Sequence, residues 1–132
     1  MTQTITIKTH RRNELIDITR HVAELVSGNT VADGSVMVFV PHTTAGVTIN
    51  ENADPDVVHD ILLTLEQLVP RQRQGYRHAE GNSDAHVKAG MVGSSVTVMI
   101  EDSKLCLGTW QSIYFCEFDG PRSRKVLIRI GR

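Results

Sequence analysis

The sequence predicts an α+β domain: a two-sheet, largely antiparallel β-sandwich core with two main helices. Three observations predict it. Most regular stretches alternate or run apolar at strand length, as in SVMVFV, AGVTIN and WQSIYFCEF. Two stretches show helical spacing, over residues 17–27 and 55–69. Short polar turns, Asp102-Ser103 and Asp119-Gly120-Pro121, join several of the C-terminal strands.

Taken in order, Thr2–Thr9 reads as a strand, because Ile5 and Ile7 alternate with Thr4, Thr6 and Lys8. The first helix runs from about Asp17 to Ser27. Ile18, Val22 and Leu25 recur at spacings of four and three, Asp17 or Thr19 can cap, and Gly28 stops it. Ser35–Val40 is a continuous apolar run, expected to be a strand buried on both faces and ended by Pro41. Ala45–Asn50 follows, with Val47 and Ile49 on one face. The clearest helix is Pro55–Val69. Asp54 is its N-cap, Pro55 occupies the first turn, and Asp56 suits the positive end of the dipole. Val58, Ile61, Leu62, Leu65 and Leu68 form its expected buried stripe, and Pro70 terminates it. Residues 71–82 read as a polar loop. Asp84–Met91 forms one or two helical turns, capped by Ser83 and closed by Gly93. Four strands complete the chain: Ser94–Glu101, Lys104–Gly108, Trp110–Phe118 and Lys125–Ile130. With 132 residues and no composition break, the chain is expected to be one domain, residues 1–132.

Composition removes several function classes. The net charge of −1 provides no general field for nucleic acid or an anionic membrane. No apolar run approaches the ~20 residues that span a bilayer. The N-terminus MTQTITIKTH lacks a signal-peptide core, which makes the cytoplasm the expected location. The two cysteines, Cys106 and Cys116, sit in apolar strand-like runs and read as free thiols.

The site is announced by histidines and acids at element junctions. Three of the six histidines fall in polar, Gly- or Asn-bearing stretches: His42 in PHTTAG, His78 and His86 in HAEGNSDAH. Asn50, Glu51 and Asp54 follow in INENADPD, just before a helix. Loops at the ends of rigid elements are where a scaffold holds reactive groups. Imidazoles that converge with carboxylates hold a divalent metal or move protons near neutral pH.

Read in order, HTTAGVTINENADPDVVHD, HAEGN followed by AH, and LGTWQSIYFCEFDGPRSR resemble the YjbQ-like family, also called the secondary thiamine-phosphate synthase family. The resemblance spans nearly the whole chain. The matching residues are His42, Thr43, Asn50, Glu51, Asp54, His59, His78, His86, Gly108, Trp110, Gln111, Glu117 and Arg124. The resemblance implies a small α+β protein with a sandwich core that associates as a homotrimer. It also implies a modest ability to join a pyrimidine pyrophosphate to a thiazole phosphate, with release of pyrophosphate.

On this reading His42, Glu51 and His86 form the catalytic set. His42, His78 and His86 are candidate ligands for a divalent metal, zinc or magnesium. Thr43, Asn50, Lys88, Trp110, Gln111 and Arg124 are expected to contact a small phosphorylated metabolite. Each residue has a plainer alternative. His42 can cap a turn, and His78 and His86 can be surface residues. His59 is expected to bond a neighbouring acid on its helix. Glu117 shares a strand face with Gln111 but lies roughly 20 Å from it along a straight strand. A salt bridge from Glu117 to Arg122 or Arg124 is therefore the favoured account. Arg122 and Arg124 suit a phosphate, because the guanidinium fork matches its oxygens, or else form a solvated hairpin tip. Two rival functions use the same residues: a metal-dependent hydrolase of a small phosphorylated substrate, and a non-catalytic trimer that binds a metabolite or metal.

Overall fold

The alternating N-terminal run pairs along its whole length with the C-terminal one, so the two chain ends build the same sheet. In a computed structural model covering Met1–Arg132, the elements are β1 (Thr2–Lys8), β2 (Glu14–Asp17), α1 (Thr19–Ser27), β3 (Gly34–Phe39), β4 (Ala45–Glu51) and α2 (Pro55–Leu68). They continue with α3 (Ser83–Val92), β5 (Ser95–Glu101), β6 (Lys104–Leu105), β7 (Gln111–Glu117) and β8 (Ser123–Gly131). A five-stranded sheet has the order β1-β8-β3-β5-β6, and a three-stranded sheet has the order β2-β7-β4. Every pairing is antiparallel. The α+β class and the two sheets are those the sequence predicts.

The core follows from the alternation. Ile7, Val36, Val38, Val98, Ile100, Val126 and Ile128 of the large sheet face Val47, Ile113 and Phe115 of the small one. Helix α1 contributes Val22 and Val26 to the same cluster. The opposite face of β7 presents Tyr114 and Cys116, which with Phe118 pack on Ala85 and Ala89 of α3. Strand β7 is thus buried on both faces, one toward the sandwich and one toward a helical layer.

Several expectations are corrected. The SVMVFV run is buried on one face only: Val36 and Val38 point inward, whereas Met37 is 50% exposed and Phe39 is 39% exposed. The outer face of the large sheet has no second layer above it within the chain. Strand β2 was not read from the sequence. At four residues it is too short to show a period, and its pairing with the edge of β7 defines it. Asp17 closes β2, so α1 begins at Thr19, and Asp17 Oδ1 accepts from the Thr19 N–H at 2.9 Å. Helix α3 runs longer than expected and has Asn82, not Ser83, at its N-cap position. Strand β6 stops at Leu105 rather than Gly108. The two cysteines are free, as expected.

Helix α2 forms where predicted, with Asp54 Oδ1 accepting from the Asp56 N–H at 2.9 Å. Its apolar stripe is not buried, however. Val58, Ile61, Leu62 and Leu65 are half-buried and Leu68 is exposed. The sheet beneath is three strands wide, and α3 occupies part of it. The cap makes a testable point. Asp54→Ala is expected to lower the unfolding free energy by about 1 kcal/mol through the lost side-chain acceptor. A urea titration followed by circular dichroism measures it, and an unchanged midpoint would show that the cap contributes nothing.

Candidate functional site

Sheet register decides which predicted residues can meet. In the β4–β7 ladder Ala45 lies opposite Glu117 and Glu51 lies opposite Gln111. Asn50, Glu51, Trp110 and Gln111 therefore gather at one end of the small sheet. His42 and Thr43 precede β4 at the other end, beside Glu117 and Arg124. The six steps of β4 separate the ends by roughly 20 Å. The expected convergence of Glu51 with His42 in one chain does not occur, because a strand holds its two ends apart.

The end that carries Glu117 also receives the N-terminus of α3, since Asn82 Nδ2 donates to Asp119 Oδ2 at 2.8 Å. Here the loop before α3 folds back as its Gly81 and Asn82 suggested, with Gly81 at a φ of +70°. His78 and His86 come together edge to face, ring centroids 5.3 Å apart and planes at 88°. Glu80 Oε2 lies 3.7 Å from His78 Nε2. Tyr76, His78, Ser83, His86 and Val87 line an open pocket of about 390 Å³. A second pocket of about 130 Å³ shares Tyr76, His78 and Ser83 and adds Arg71, Gln72, Arg73 and Gly81. The two pockets meet at Tyr76, His78 and Ser83, with His86 lining one and the exposed Arg71 and Arg73 lining the other.

Beneath this surface lies a buried ionic scaffold that sequence reasoning missed. Asp84 is fully buried and receives both terminal nitrogens of Arg12, at 2.9 and 3.0 Å. Lys88 Nζ donates to Asp84 Oδ2 at 3.1 Å and to Asn13 Oδ1 at 3.3 Å. Burial by itself would raise the Asp84 pKa, but the bonds from Arg12 and Lys88 outweigh it and hold the carboxyl below its ordinary range. Lys88 was expected to contact substrate phosphate. Instead it is 1% exposed, and its ammonium serves the scaffold. The available signal was the i, i+4 spacing of Asp84 and Lys88 beside the small residues Ala85 and Ala89. Asn82 Oδ1 is the one buried side-chain polar atom left without a partner.

A second buried pair sits at the same end. Arg124 Nε donates to Glu117 Oε1 at 2.9 Å, and its Nη2 bonds Glu117 Oε2 and Thr44. Glu117 Oε1 also accepts from Thr9, and Oε2 accepts from the N–H groups of Phe118 and Asp119. Of the alternatives, the salt bridge describes Glu117. Arg124 is 2% exposed and is not presented to a phosphate, whereas Arg122 is exposed and pairs with Asp119 at 2.9 Å. Burial would raise the Glu117 pKa, but Arg124, the Asp119 amide and Thr9 together depress it.

His42 is half-buried in the β3–β4 loop, and its Nε2 accepts from the Lys125 N–H at 2.9 Å. Burial first, then the charge of Arg124, lowers its pKa. A metal on Nδ1 would place the ring proton on Nε2, against that amide, so His42 is not available as a ligand while it makes this bond. No group of three or more His, Cys, Asp or Glu side chains in the chain is placed to hold a metal. The three-imidazole set does not assemble in one chain.

At the far end the side chains serve local structure. Gln111 Oε1 accepts from the Gly108 N–H at 2.8 Å, closing the turn that leaves Trp110 63% exposed. Asn50 Oδ1 accepts from the Glu51 N–H, and Tyr114 Oη donates to the Glu51 carbonyl. Asn52, also missed, links Tyr114 Oη and Asp17 Oδ2, at 2.9 and 2.6 Å. His59 bonds Asp60 at 2.9 Å on the exposed face of α2, as expected.

Fold and site together define a class: an α+β sandwich protein whose helical layer presents paired imidazoles above buried ion pairs. Within that class the chain belongs to the YjbQ/UPF0047 family. The sequence profile described as UPF0047 protein YjbQ-like matches residues 3–132. The chain is 53% identical to a UPF0047 protein of Methanocaldococcus jannaschii over 124 residues, 94% of this chain and 89% of that one. It is 49% identical to YugU of Bacillus subtilis, with 98% of each covered. A crystal structure of a yjbQ/UPF0047 protein from Clostridium acetobutylicum superposes with a TM-score of 0.95 at 53% identity, covering 98% of this chain and 99% of that one. A conserved hypothetical protein of Thermus thermophilus gives a TM-score of 0.91 at 42% identity, covering 98% and 99%. No helix is long and apolar enough to cross a membrane.

Proposed function

We propose that the protein is a transferase acting on small phosphorylated metabolites, of the thiamine-phosphate synthase type. The observation that carries this reading is the His78–His86 pair, with His78 also lining the adjoining pocket that holds Arg71 and Arg73. The arginines and the first turn of α3 would hold phosphate or pyrophosphate oxygens, as guanidinium groups and helix N-termini do. A protonated imidazole of the pair would donate its proton to the departing pyrophosphate oxygen, the one proton transfer the coupling can use. In the coupling reaction the carbon–oxygen bond to pyrophosphate breaks, the thiazole nitrogen bonds to that carbon, and the electron pair leaves with pyrophosphate. Positive side chains stabilise that developing charge. One chain supplies two imidazoles, fewer than the three protein ligands of a catalytic zinc, so no step is assigned to a metal.

The reading is tested by incubating purified protein with a pyrimidine pyrophosphate and a thiazole phosphate and resolving the products. Thiamine phosphate and pyrophosphate in equal amounts are expected. Loss of the pyrophosphate ester with no coupled product would favour the hydrolase instead. Binding of either substrate with no turnover would favour a metabolite-binding protein.

A homotrimer is part of the proposal. Met37, Phe39 and Met99 are exposed on the outer face of the large sheet, and the α2 stripe is half-open. A closed three-fold ring covers such surfaces with one repeated interface. It would also offer a route for Asn50, Glu51 and Trp110 to approach the imidazole end of a neighbouring copy. Light scattering is expected to give about three times the 14.6 kDa chain mass. A monodisperse monomer at micromolar concentration would exclude the ring.

A further inference from the structure

We propose that Tyr76 selects the ligand of the loop pocket. Its side chain stands between a small basic lobe, which takes the phosphate end of a phosphate ester, and a wider lobe against α3, which takes a flat ring. The inference rests on the reading of this pocket as a site for phosphorylated metabolites, and adds how such a ligand lies and which residue recognises it. Tyr76 lines both cavities, as do His78 and Ser83. Of the two tyrosines, Tyr114 commits its hydroxyl to Glu51 and Asn52, whereas the half-buried Tyr76 makes no side-chain hydrogen bond. The backbone fixes its place. The Tyr76 N–H donates to the Arg73 carbonyl at 3.2 Å and Gly75 has a φ of +99°, so a tight turn sets the ring beside the arginines.

The two lobes differ in chemistry. The small one, about 130 Å³, is lined by Arg71, Gln72 and Arg73 beside the shared residues. Residues 71–83 carry three arginines against one acid, Glu80. Arg71, Arg73 and Arg77 pair with no acid, whereas Arg12, Arg20, Arg122 and Arg124 each do. Two guanidinium groups on one small cavity repel until an anion joins them, and their forks match phosphate oxygens. The lobe lies below the roughly 300 Å³ that encloses a ring-bearing ligand, so it takes a phosphate end alone. The wider lobe, about 390 Å³, adds His86 and Val87 and has no lysine or arginine in its lining. Tyr76 and Val87 are its apolar groups, which suits a planar ring stacked on the phenol. A ligand lying across Tyr76 meets both lobes. Its class is a single flat ring that carries phosphate or diphosphate on a short arm.

The test is calorimetric titration of the full-length protein with a pyrimidine pyrophosphate, methyl diphosphate and inorganic pyrophosphate. The ring-bearing ester is expected to bind on the order of tenfold more tightly than the two ringless probes, the worth of one aromatic stack. Tyr76→Ala is expected to abolish that preference and leave the ringless probes within about twofold of wild type. Tyr76→Phe should keep it, because stacking needs no hydroxyl. Arg73→Gln should weaken all three probes by about tenfold, the loss of a charge-assisted bond, and leave the preference intact. A wild type that shows no preference, or binds none of the probes, would overturn the proposal. So would a preference that survives Tyr76→Ala, or a loss in that variant shared equally by all three probes. Should Tyr76→Ala fail to fold, Tyr76→Leu keeps the bulk, removes the stack and decides by the same criteria. Failure of the coupling assay with this binding pattern intact would remove the proposed reaction and leave the orientation standing. Coupling intact with a preference unmoved by Tyr76→Ala would remove this inference alone.

Discussion

Glu117→Gln is expected to lower the unfolding free energy by about 3–5 kcal/mol, because it strands the Arg124 guanidinium in the interior without a counter-charge. Glu117 and Arg124 are 0% and 2% exposed, so water cannot replace the lost partner. The carboxylate also receives Thr9 and the Phe118 and Asp119 amides. A glutamine would have to turn its own NH₂ toward one of these donors. The residues involved belong to the ends of β7 and β8 and the segments beside β1 and β4, so their loss loosens the end that carries the site. Chemical denaturation measures the effect. Replacing both charges, as Glu117→Leu with Arg124→Met, is expected to recover part of the loss, because two matched apolar groups leave nothing unpaired. A single variant as stable as wild type would show that the pair is dispensable.

The same pair gives acid sensitivity a definite sign. The folded-state pKa values of Glu117 and Asp84 lie below their ordinary values. Each therefore contributes stability that is complete above the ordinary carboxyl range and is lost as pH falls through the depressed folded value. Stability is expected to fall on acidification below that range. In Glu117→Gln this acid-dependent loss should be smaller, because one of the two linked protonations is gone.

His86→Ala is expected to reduce the rate of pyrophosphate release by about 10²–10⁴, the usual effect of removing a positioned acid–base group. Its stability should change by less than about 0.5 kcal/mol, since the ring is exposed on the outer face of α3. His78→Ala should produce a similar loss. The double variant should be little worse than either single one, because groups that act as a unit are not additive. Steady-state kinetics paired with urea unfolding separate this from a folding defect. Turnover unchanged in both single variants would remove the imidazole pair from the reaction.

Much of this molecule was legible from residue patterns because local physics dominates there. Two-residue alternation predicts strands over Thr2–Thr9 and Trp110–Phe118, where β1 and β7 form, and the apolar run Ser35–Val40 predicts β3. Asp54, Pro55 and Pro70 bracketed α2 to within one residue, since caps and prolines act through neighbouring backbone groups. The polar HAEGNSDAH stretch foreshadowed the His78–His86 approach, because a glycine at positive φ lets a short loop reverse. The family, too, was carried by three ordered blocks of sequence and the profile that spans 3–132.

Tertiary structure alone decided which of those residues meet. Nothing local shows that Asn50 and Glu51 share one end of a strand with Trp110 and Gln111 while His42 faces the other. That depends on the β4–β7 register, fixed between segments some sixty residues apart. The inward turn of Lys88 and Arg124 was equally hidden, because a cation is buried only where a distant acid and donors surround it, here Asp84 with Asn13 and Glu117 with Thr44. The SVMVFV run read as buried on both faces because hydropathy counts side chains and not layers. One sheet face in the chain lacks a covering layer, and only the arrangement of the sheets shows which. The sequence determined the elements through interactions spanning a few residues. The site was set by long-range pairings, whose partners are selected only when the whole core closes.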